Sequence, residues 1–158
     1  MDHYLALLHE INRAFDFFNH TFCNNTLKKP IILVSTTSNT SPPMHGWFGV
    51  KVWRKGDHHY DEINISAESF RTRKTHHILE TLLHEMAHLK NHQNGICDCN
   101  IKTQYHRLEF KYAAESFGLI VSKGKAIGYG YTKLGRRAMD AICDLQPREE
   151  IYRIYRVG

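Results

Sequence analysis

The sequence predicts an α+β fold, and three observations support this prediction. Apolar residues recur with helical spacing over residues 3–20, short β-branched and aromatic runs follow between residues 31 and 67, and helical spacing returns at Thr75. The 158 residues, with 42% hydrophobic content and 4 prolines, are typical of an ordinary globular domain that buries its own core. We therefore expect one domain over residues 1–158, with a basic C-terminal extension from about residue 119 packed on it or continuing it.

The first predicted element is an amphipathic helix over residues 3–20. Its apolar positions recur at three- and four-residue steps, with charged residues between them. The apolar positions are Tyr4, Leu7, Leu8, Ile11, Phe15 and Phe18, and the charged ones are Glu10, Arg13 and Asp16. The pattern predicts a helix that packs its apolar face on the core.

Three short strands come next and predict a small sheet. The run IILVSTT after Pro30 is β-branched and indicates a buried strand, whereas SNTSPP has the composition of a loop. GWFGVKVW and YDEINISA, separated by the turn-forming KGDHH, supply two further strands. We expect an antiparallel or mixed sheet of three strands or more, whose exposed edge could receive an extended peptide by strand addition.

The second half of the chain is predicted to be mainly helical. A helix is predicted to begin at Thr75 and to end at Asn94-Gly95. Its apolar stripe contains Ile78, Leu79, Leu82, Leu83, Met86 and Leu89. The loop ICDCNIK leads to a second helix over about 103–118, which is expected to pack against the first. Beyond it, KAIGYGYT is strand-like, KLGRRAMDAICDL is helical and EEIYRIYRVG fits either structure.

The long predicted helix contains HEMAH, an H-E-x-x-H pattern, at residues 84–88. With 12 His in the chain, this pattern arises by chance in about 5% of sequences of this composition. Residues four apart lie on one helix face, so His84 and His88 can share a tetrahedral ion. Glu85 lies about 100° round the helix and is placed to contact a water on that ion. The apolar surroundings favour a metal site, because buried polar groups need partners.

A catalytic zinc ion usually has three protein ligands and one open position. The downstream candidates for the third ligand are His92, Cys97, Asp98, Cys99, His106, Glu109 and Glu115. His106 is the best of them because it opens the second predicted helix, whose inward face continues through Phe110; Glu115 is the alternative. Glu109 would then be either a hydrogen-bond acceptor for a ligand imidazole or a solvated side chain.

The segments LLHEMAHLKN, YHRLEFKYAAESFGL and GYGYTKL together resemble the SprT-like (Spartan-type) zinc metallopeptidases, a family with many small bacterial and phage members. The resemblance extends to GWFGVKVW and DEINIS and covers roughly residues 30–135. It implies a zincin-like, minigluzincin-type domain in which the H-E-x-x-H helix packs on a second ligand helix. It also implies that His84, His88 and His106 hold Zn²⁺ and that Glu85 is the general base. The implied activity is hydrolysis of protein substrates, DNA-associated proteins among them.

The positive charge of the chain is uneven and indicates a second kind of partner. Of the net +5, most lies in residues 93–158, which contain 11 Lys and Arg against 7 Asp and Glu. Such a surface attracts nucleic acid. Many SprT-like proteins continue into a Cys-x-x-Cys zinc ribbon, which this sequence lacks, so the basic C-terminal third is the candidate nucleic-acid contact. The alternative function is a non-enzymatic, zinc-stabilised nucleic-acid-binding or adaptor domain, although a structural zinc site has no use for Glu85.

The remaining expectations concern location and side chains near the motif. The N-terminal residues show no basic segment followed by an apolar run, so we expect a cytoplasmic protein that does not cross a membrane. The irregular spacing of four cysteines favours free thiols, and Cys97 and Cys99 are expected in a loop near the site. Tyr105, Tyr129 and Tyr131 are hydroxyl donors that could stabilise a developing oxyanion.

Overall fold

The computed structural model describes residues 2–36 and 44–157 and has the predicted α+β architecture. The α-helices are α1 (His3–Cys23), α2 (Ser69–Thr72), α3 (Thr75–Gln93), α4 (Leu108–Ser116) and α5 (Arg136–Leu145). The strands are β1 (Ile31–Ser35), β2 (Gly46–Lys55), β3 (His58–Ser66), β4 (Cys99–Asn100), β5 (Tyr105–His106), β6 (Leu119–Gly124) and β7 (Gly128–Leu134). The predicted loop SNTSPP lies outside the described residues.

The three predicted strands form a mixed sheet in the order β1-β3-β2. The central strand β3 is parallel to β1 and antiparallel to β2, and β2 and β3 are joined by the short turn that KGDHH predicted. β2 is therefore an edge strand of this sheet. Its register shifts between Gly49 and Trp53, where Lys51 adopts a φ of 52°.

A second sheet in the order β4-β5-β7-β6 lies on the C-terminal side of the chain. β7 confirms the strand that the sequence predicts at KAIGYGYT, whereas the sequence does not predict β6. β6 and β7 form an antiparallel hairpin, and β5 joins β7 in parallel at the pair His106 and Gly128. KLGRRAMDAICDL is helical as predicted, and the described residues of EEIYRIYRVG, 149–157, include a short 3₁₀ helix, Ile151–Arg153.

The second long helix begins later than predicted. α4 starts at Leu108 rather than near residue 103. The side chain of Asn100 accepts hydrogen bonds from the backbone of residues 102 and 103, which closes a turn, and the His106 N–H donates to the Ile127 carbonyl at 2.9 Å. His106 therefore lies on β5, two residues before α4, and the prediction that it opens a second ligand helix is wrong.

The helix α3 lies at the centre of one continuous hydrophobic core. It packs against both sheets and against α1, α4 and α5. The stripe predicted for it is fully buried, as Ile78, Leu79, Leu82, Leu83, Met86 and Leu89 are each no more than 1% exposed. The C-terminal extension packs on the same core through α5 and Tyr152. That the chain forms a single domain stays a prediction.

None of the helices among the described residues combines the length and apolar character needed to cross a bilayer.

Candidate metal centre

Three histidine side chains meet at one point beside α3. His84 and His88 come from α3, and His106 comes from β5. One nitrogen of each lies within 4.8 Å of the others, and their ring centroids are 5.0–5.5 Å apart. This is an arrangement in which three imidazoles can share a single metal ion.

The ring of Phe110 forms the floor of this histidine cluster. Phe110 is fully buried on the first turn of α4. Its centroid lies 4.7 Å from the His84 ring, 4.4 Å from the His88 ring and 4.7 Å from the His106 ring. An aromatic surface in contact with all three imidazoles restricts their rotation and excludes water from one side, so α4 shapes the site without supplying a ligand.

Each of the three imidazoles is hydrogen-bonded through its Nδ1 atom. The partners are Thr132 Oγ1 for His84 at 3.1 Å, Asp98 Oδ2 for His88 at 3.0 Å and the Gln104 carbonyl oxygen for His106 at 2.8 Å. A carboxylate and a carbonyl only accept, so in two of the rings Nδ1 carries a proton, and in the neutral form of these rings the lone pair is on Nε2. Such contacts orient metal ligands, and they leave Nε2 of each ring available to an ion.

Asp98 is itself held in place by neighbouring elements. Its carboxylate accepts a hydrogen bond from Asn91 Nδ2 at 2.9 Å, and the same Asn91 group contacts the Glu109 carbonyl at 3.2 Å. Its backbone carbonyl accepts from the Arg107 N–H at 2.7 Å. The sequence offers Asp98 as a candidate for the third metal ligand, but in the structure its carboxylate is hydrogen-bonded to another candidate ligand, His88. The Glu109 side chain is exposed, so of its two predicted roles the solvated one is correct.

Glu85 is buried on α3 and faces the edge strand β2. It is 5% exposed, and a Cβ built on Gly46 would lie 3.5 Å from its Oε1 atom. Among the described residues no group donates a hydrogen bond to this carboxylate. Burial raises the pKa of Glu85 to about 7, with a smaller upward contribution from Asp98 and an opposing one from His88. The carboxyl group can therefore gain or lose a proton near neutral pH.

The histidine cluster is electrostatically suited to a cation. Burial lowers the pKa of His84 well below its usual value, and the neighbouring imidazoles lower it further. Burial likewise lowers the pKa of His106. For His88, burial acts downward, but the hydrogen bond to Asp98 and the charge of Glu85 outweigh it and raise the pKa. His84 and His106 are therefore neutral at pH 7, which is the form that binds a metal.

Several candidates from the sequence do not belong to the histidine cluster. Glu115, the alternative third ligand, is exposed and its carboxylate is 3.8 Å from Lys111 Nζ. His92 Nε2 lies 3.8 Å from Asp61, and Cys97 and Cys99 do not join the histidine group in the described part of the chain. The four cysteines are free thiols.

The three candidate tyrosines do not hydrogen-bond to the histidine cluster within the described ranges. Tyr129 lies between two lysines, with its ring centroid 5.8 Å from Lys111 Nζ and 5.3 Å from Lys123 Nζ. Tyr131 is 54% exposed, and Tyr105 is half-buried on β5. A role for any of them in stabilising an oxyanion stays a prediction.

The sequence did not indicate two residues that shape the centre. Thr132 contacts His84 only because β7 passes α3, 48 positions away in the chain. Gly130 lies against His106, since a Cβ there would be 2.7 Å from the His106 Nδ1 atom. Sequence spacing carries no signal for either contact, because both depend on the second sheet.

The chain is similar to a known protein family. A model described as the SprT-like family matches residues 11–125, more than half of the chain. No curated protein and no solved structure matches the chain. The matched region contains the three histidines and Glu85, whereas β7, with Thr132, lies beyond it.

Proposed function

The chain belongs to the SprT-like family, and from this premise we propose that it is a zinc-dependent endopeptidase. In this proposal His84, His88 and His106 bind the ion, and Glu85 is the general base. The substrates would be proteins or peptides, DNA-associated proteins among them. The observation that supports the proposal most directly is that all three Nδ1 atoms are hydrogen-bonded outside the cluster, while a buried carboxyl group lies on the same helix.

The donor set fits zinc. Three imidazole nitrogens leave one coordination position open, which is typical of catalytic zinc rather than of structural zinc. Imidazole ligands suit zinc among the common divalent ions. When bound, zinc acts as a Lewis acid on the scissile carbonyl and makes water acidic enough to attack near neutral pH.

The role proposed for Glu85 follows from its burial and its pKa. With a pKa of about 7, the carboxylate can accept a proton from the attacking water and the acid can release it again. The proton then passes to the amine nitrogen as the peptide C–N bond breaks, so that one water molecule is consumed and Glu85 is regenerated. No hydrogen bond from the described residues has to be broken for the carboxylate to contact water.

A substrate peptide is proposed to lie along β2. This strand pairs with β3 on one side only among the described residues, and its first residue, Gly46, lies beside Glu85. An extended peptide added to the free edge would pass the carboxylate with its backbone hydrogen-bonded to the sheet. In a zincin-like fold, the edge strand β2 and the helix α3 would together form the two sides of the substrate cleft.

Nucleic acid is a second proposed partner, and it is compatible with peptidase activity. Residues 116–139 contain five Lys and Arg and no Asp or Glu. Two of these lysines, Lys123 and Lys125, lie in the β6–β7 hairpin region, and Tyr129 between Lys111 and Lys123 offers an aromatic ring beside positive charge. Such a surface suits a nucleic-acid strand and would bring the peptidase to DNA-associated proteins.

The test of the peptidase proposal uses the variant Glu85→Gln, with Glu80→Gln on the same helix as the matched control. Zinc content is measured by mass spectrometry, and cleavage of an unfolded protein is followed with and without single-stranded DNA. We expect Glu85→Gln to retain zinc and to lose at least about 100-fold in turnover, while the control is unchanged. Undiminished cleavage by Glu85→Gln would exclude Glu85 as the base, and a zinc-loaded wild type that cleaves nothing but binds DNA would favour the adaptor function.

A further inference from the structure

A cavity of about 670 Å³ lies beyond the C-terminal end of α3 and shares no lining residue with the candidate metal centre. It is open to solvent on one side and is lined by the segment before β1, by the β2–β3 hairpin and by the last residues of α3. We call it the cationic cavity and define it by six of its lining residues, Lys28, Lys51, His58, His59, Tyr60 and His92. We propose that it binds a phosphate-bearing ligand of nucleotide size.

One wall of the cationic cavity is fixed by hydrogen bonds. The Lys28 N–H donates to Gln93 Oε1 at 2.9 Å, and Gln93 Nε2 donates to the Lys28 carbonyl at 2.8 Å. One residue earlier, Leu27 and the side chain of Asn19 make a similar two-way contact at 3.2 and 3.1 Å. The segment that carries Lys28 is therefore ordered before a ligand arrives, which lowers the entropic cost of binding.

The opposite wall contains an unusual lysine. Lys51 has a φ of 52°, a conformation uncommon for a residue other than glycine, at the point where the register of β2 shifts. Its N–H donates to Asp61 Oδ1 at 2.9 Å, which holds this backbone conformation. Irregularities of this kind redirect side chains and are concentrated at functional positions. In this protein the irregular residue lines the cavity.

The charges around the cationic cavity are not balanced. Within the described residues neither Lys28 nor Lys51 has a carboxylate partner. Lys29 is paired with Asp16 at 2.9 Å. Asp61 is the one carboxylate among the described lining residues, and it is already engaged by the Lys51 N–H and faces His92. Two free ammonium groups thus remain for an anion, and the histidine rings can add N–H donors.

Most of the carbonyl groups in the last turn of α3 are hydrogen-bonded within the protein. The N–H groups of Asn94, Gly95 and Ile96 donate to the carbonyls of residues 90–92 at 2.8–3.2 Å. These contacts satisfy three of the four carbonyls that the C-terminus of α3 would otherwise leave without a donor, which reduces the negative potential that the helix end presents to an anion.

The size and the aromatic lining favour a nucleotide over a bare phosphate ion. Tyr60 lines the cavity and is 38% exposed, so its ring is accessible to a planar base. A volume of about 670 Å³ is in the range of small-molecule sites. The phosphate could belong to a free nucleotide or to one nucleotide of a strand, and both sources share the chemistry that the two lysines recognise.

The test uses the 158-residue chain loaded with zinc and isothermal titration calorimetry. One probe is inorganic pyrophosphate, and the other is a short thymidine oligonucleotide. The cavity variant is the double substitution Lys28→Glu and Lys51→Glu, and the matched control is Arg71→Glu with Lys74→Glu, which makes the same charge change at exposed positions outside the cavity. Since all four side chains are exposed, the variants should fold, which a thermal melt checks.

We expect the cavity variant to weaken pyrophosphate binding at least about tenfold and the control to change it less than about twofold. If the cavity variant weakens the oligonucleotide by the same factor, the phosphate belongs to a strand; if it leaves the oligonucleotide unaffected, the ligand is a free nucleotide. The proposal is overturned if wild-type protein does not bind pyrophosphate, or if both double variants weaken it equally, which indicates non-specific attraction. Glu85→Gln should bind pyrophosphate like the wild type, so failure of the peptidase proposal would not affect this result.

Discussion

The carboxylate of Asp98 determines how the His88 ring is presented. It accepts the Nδ1 proton at 3.0 Å in a position where Asp98 is 9% exposed, and a charged acceptor also makes the ring a better electron donor at Nε2. We predict that Asp98→Asn lowers zinc affinity about 10- to 100-fold. The measurement is a competition titration against a chromophoric chelator. Asp144→Asn, an exposed carboxylate on α5, is the control and should bind zinc like the wild type.

The hydrogen bond between Thr132 and His84 joins two neutral groups. Its loss should therefore lower zinc affinity less than the loss of the Asp98 carboxylate does. Thr132→Val keeps the shape of the side chain and removes one hydroxyl 3.1 Å from Nδ1. We predict a loss of zinc affinity of about fivefold, which corresponds to roughly 1 kcal/mol for a neutral hydrogen bond. The same chelator titration measures it. A loss as large as that of Asp98→Asn would mean that the charge of Asp98 adds nothing beyond a neutral hydrogen bond.

Gly46 permits the close approach of β2 to α3 beside Glu85. A Cβ at this position would lie 2.8 Å from both the Asn64 carbonyl oxygen and Thr81 Cγ2. We predict that Gly46→Ala destabilises the protein by about 1–3 kcal/mol, since a backbone atom cannot move away as easily as a side chain. Urea unfolding measures this. Gly49→Ala, where the nearest atom is Val52 Cγ1 at 3.1 Å, should be milder, and equal losses would exclude the steric explanation.

At the level of secondary-structure elements, a buried ion pair ties α1 to the end of α5. Glu10 is 3% exposed and accepts hydrogen bonds from Arg13 at 2.6 Å and from the Arg148 N–H at 3.1 Å. Arg13 also donates to the carbonyls of Leu145 and Gln146 at 3.0 and 3.2 Å. Burial acts to raise the pKa of Glu10, but Arg13 and the Arg148 N–H outweigh it, so the pKa is lowered.

This ion pair makes stability depend on pH in a defined direction. Because the pKa of Glu10 is lowered on folding, its contribution is complete above the unfolded-state value of about 4.3 and is lost as pH falls through the folded-state pKa. We predict that Glu10→Gln destabilises by about 2 kcal/mol at pH 7 and by less at acidic pH. Urea unfolding at both pH values measures it. Asp16→Asn, which removes an exposed pair with Lys29, should cost under about 1 kcal/mol, and a pH-independent effect of Glu10→Gln would contradict the prediction.

Elements with a strong hydrophobic period could be predicted from sequence, and elements set by single hydrogen bonds could not. α1 and α3 follow their apolar patterns closely. Within α1, however, Glu10 has the spacing of a polar position and is buried, because the end of α5 covers it. The apolar period predicts too early a start for α4, because the Asn100 side chain closes a turn there and Gln104 adopts a φ of 59°. Such side-chain contacts compete with helix formation and leave the apolar period unchanged.

At the level of the whole molecule, the candidate centre joins parts of the chain that lie far apart in sequence. The proximity of His84, Glu85 and His88 could be predicted from the sequence because the three residues share one helix. His106 is predicted as the third ligand from the family resemblance and from an expected packing of two helices. In the structure, His106 lies on β5 of the second sheet instead of on a helix. The contacts that orient the rings come from still more distant elements, and their positions depend on how β7 and the β4–β5 loop pack on α3. Local sequence patterns contain no information on that packing.

A metal that links α3 to the second sheet should stabilise the entire fold. Zinc that binds the native state and not the unfolded chain adds RT ln(1 + [L]/Kd), about 4 kcal/mol at a thousandfold excess over Kd. For a chain of this size we predict that removing zinc with a chelator lowers Tm by about 10 °C. His106→Ala should abolish this zinc-dependent shift, because without the β5 ligand the ion no longer joins the two parts. His77→Ala, an exposed histidine on α3 outside the cluster, should retain it. Calorimetry with and without zinc measures Tm for each variant. If the zinc-dependent shift in Tm persists in His106→Ala, the ion is held by α3 alone and the three-histidine centre is incorrect.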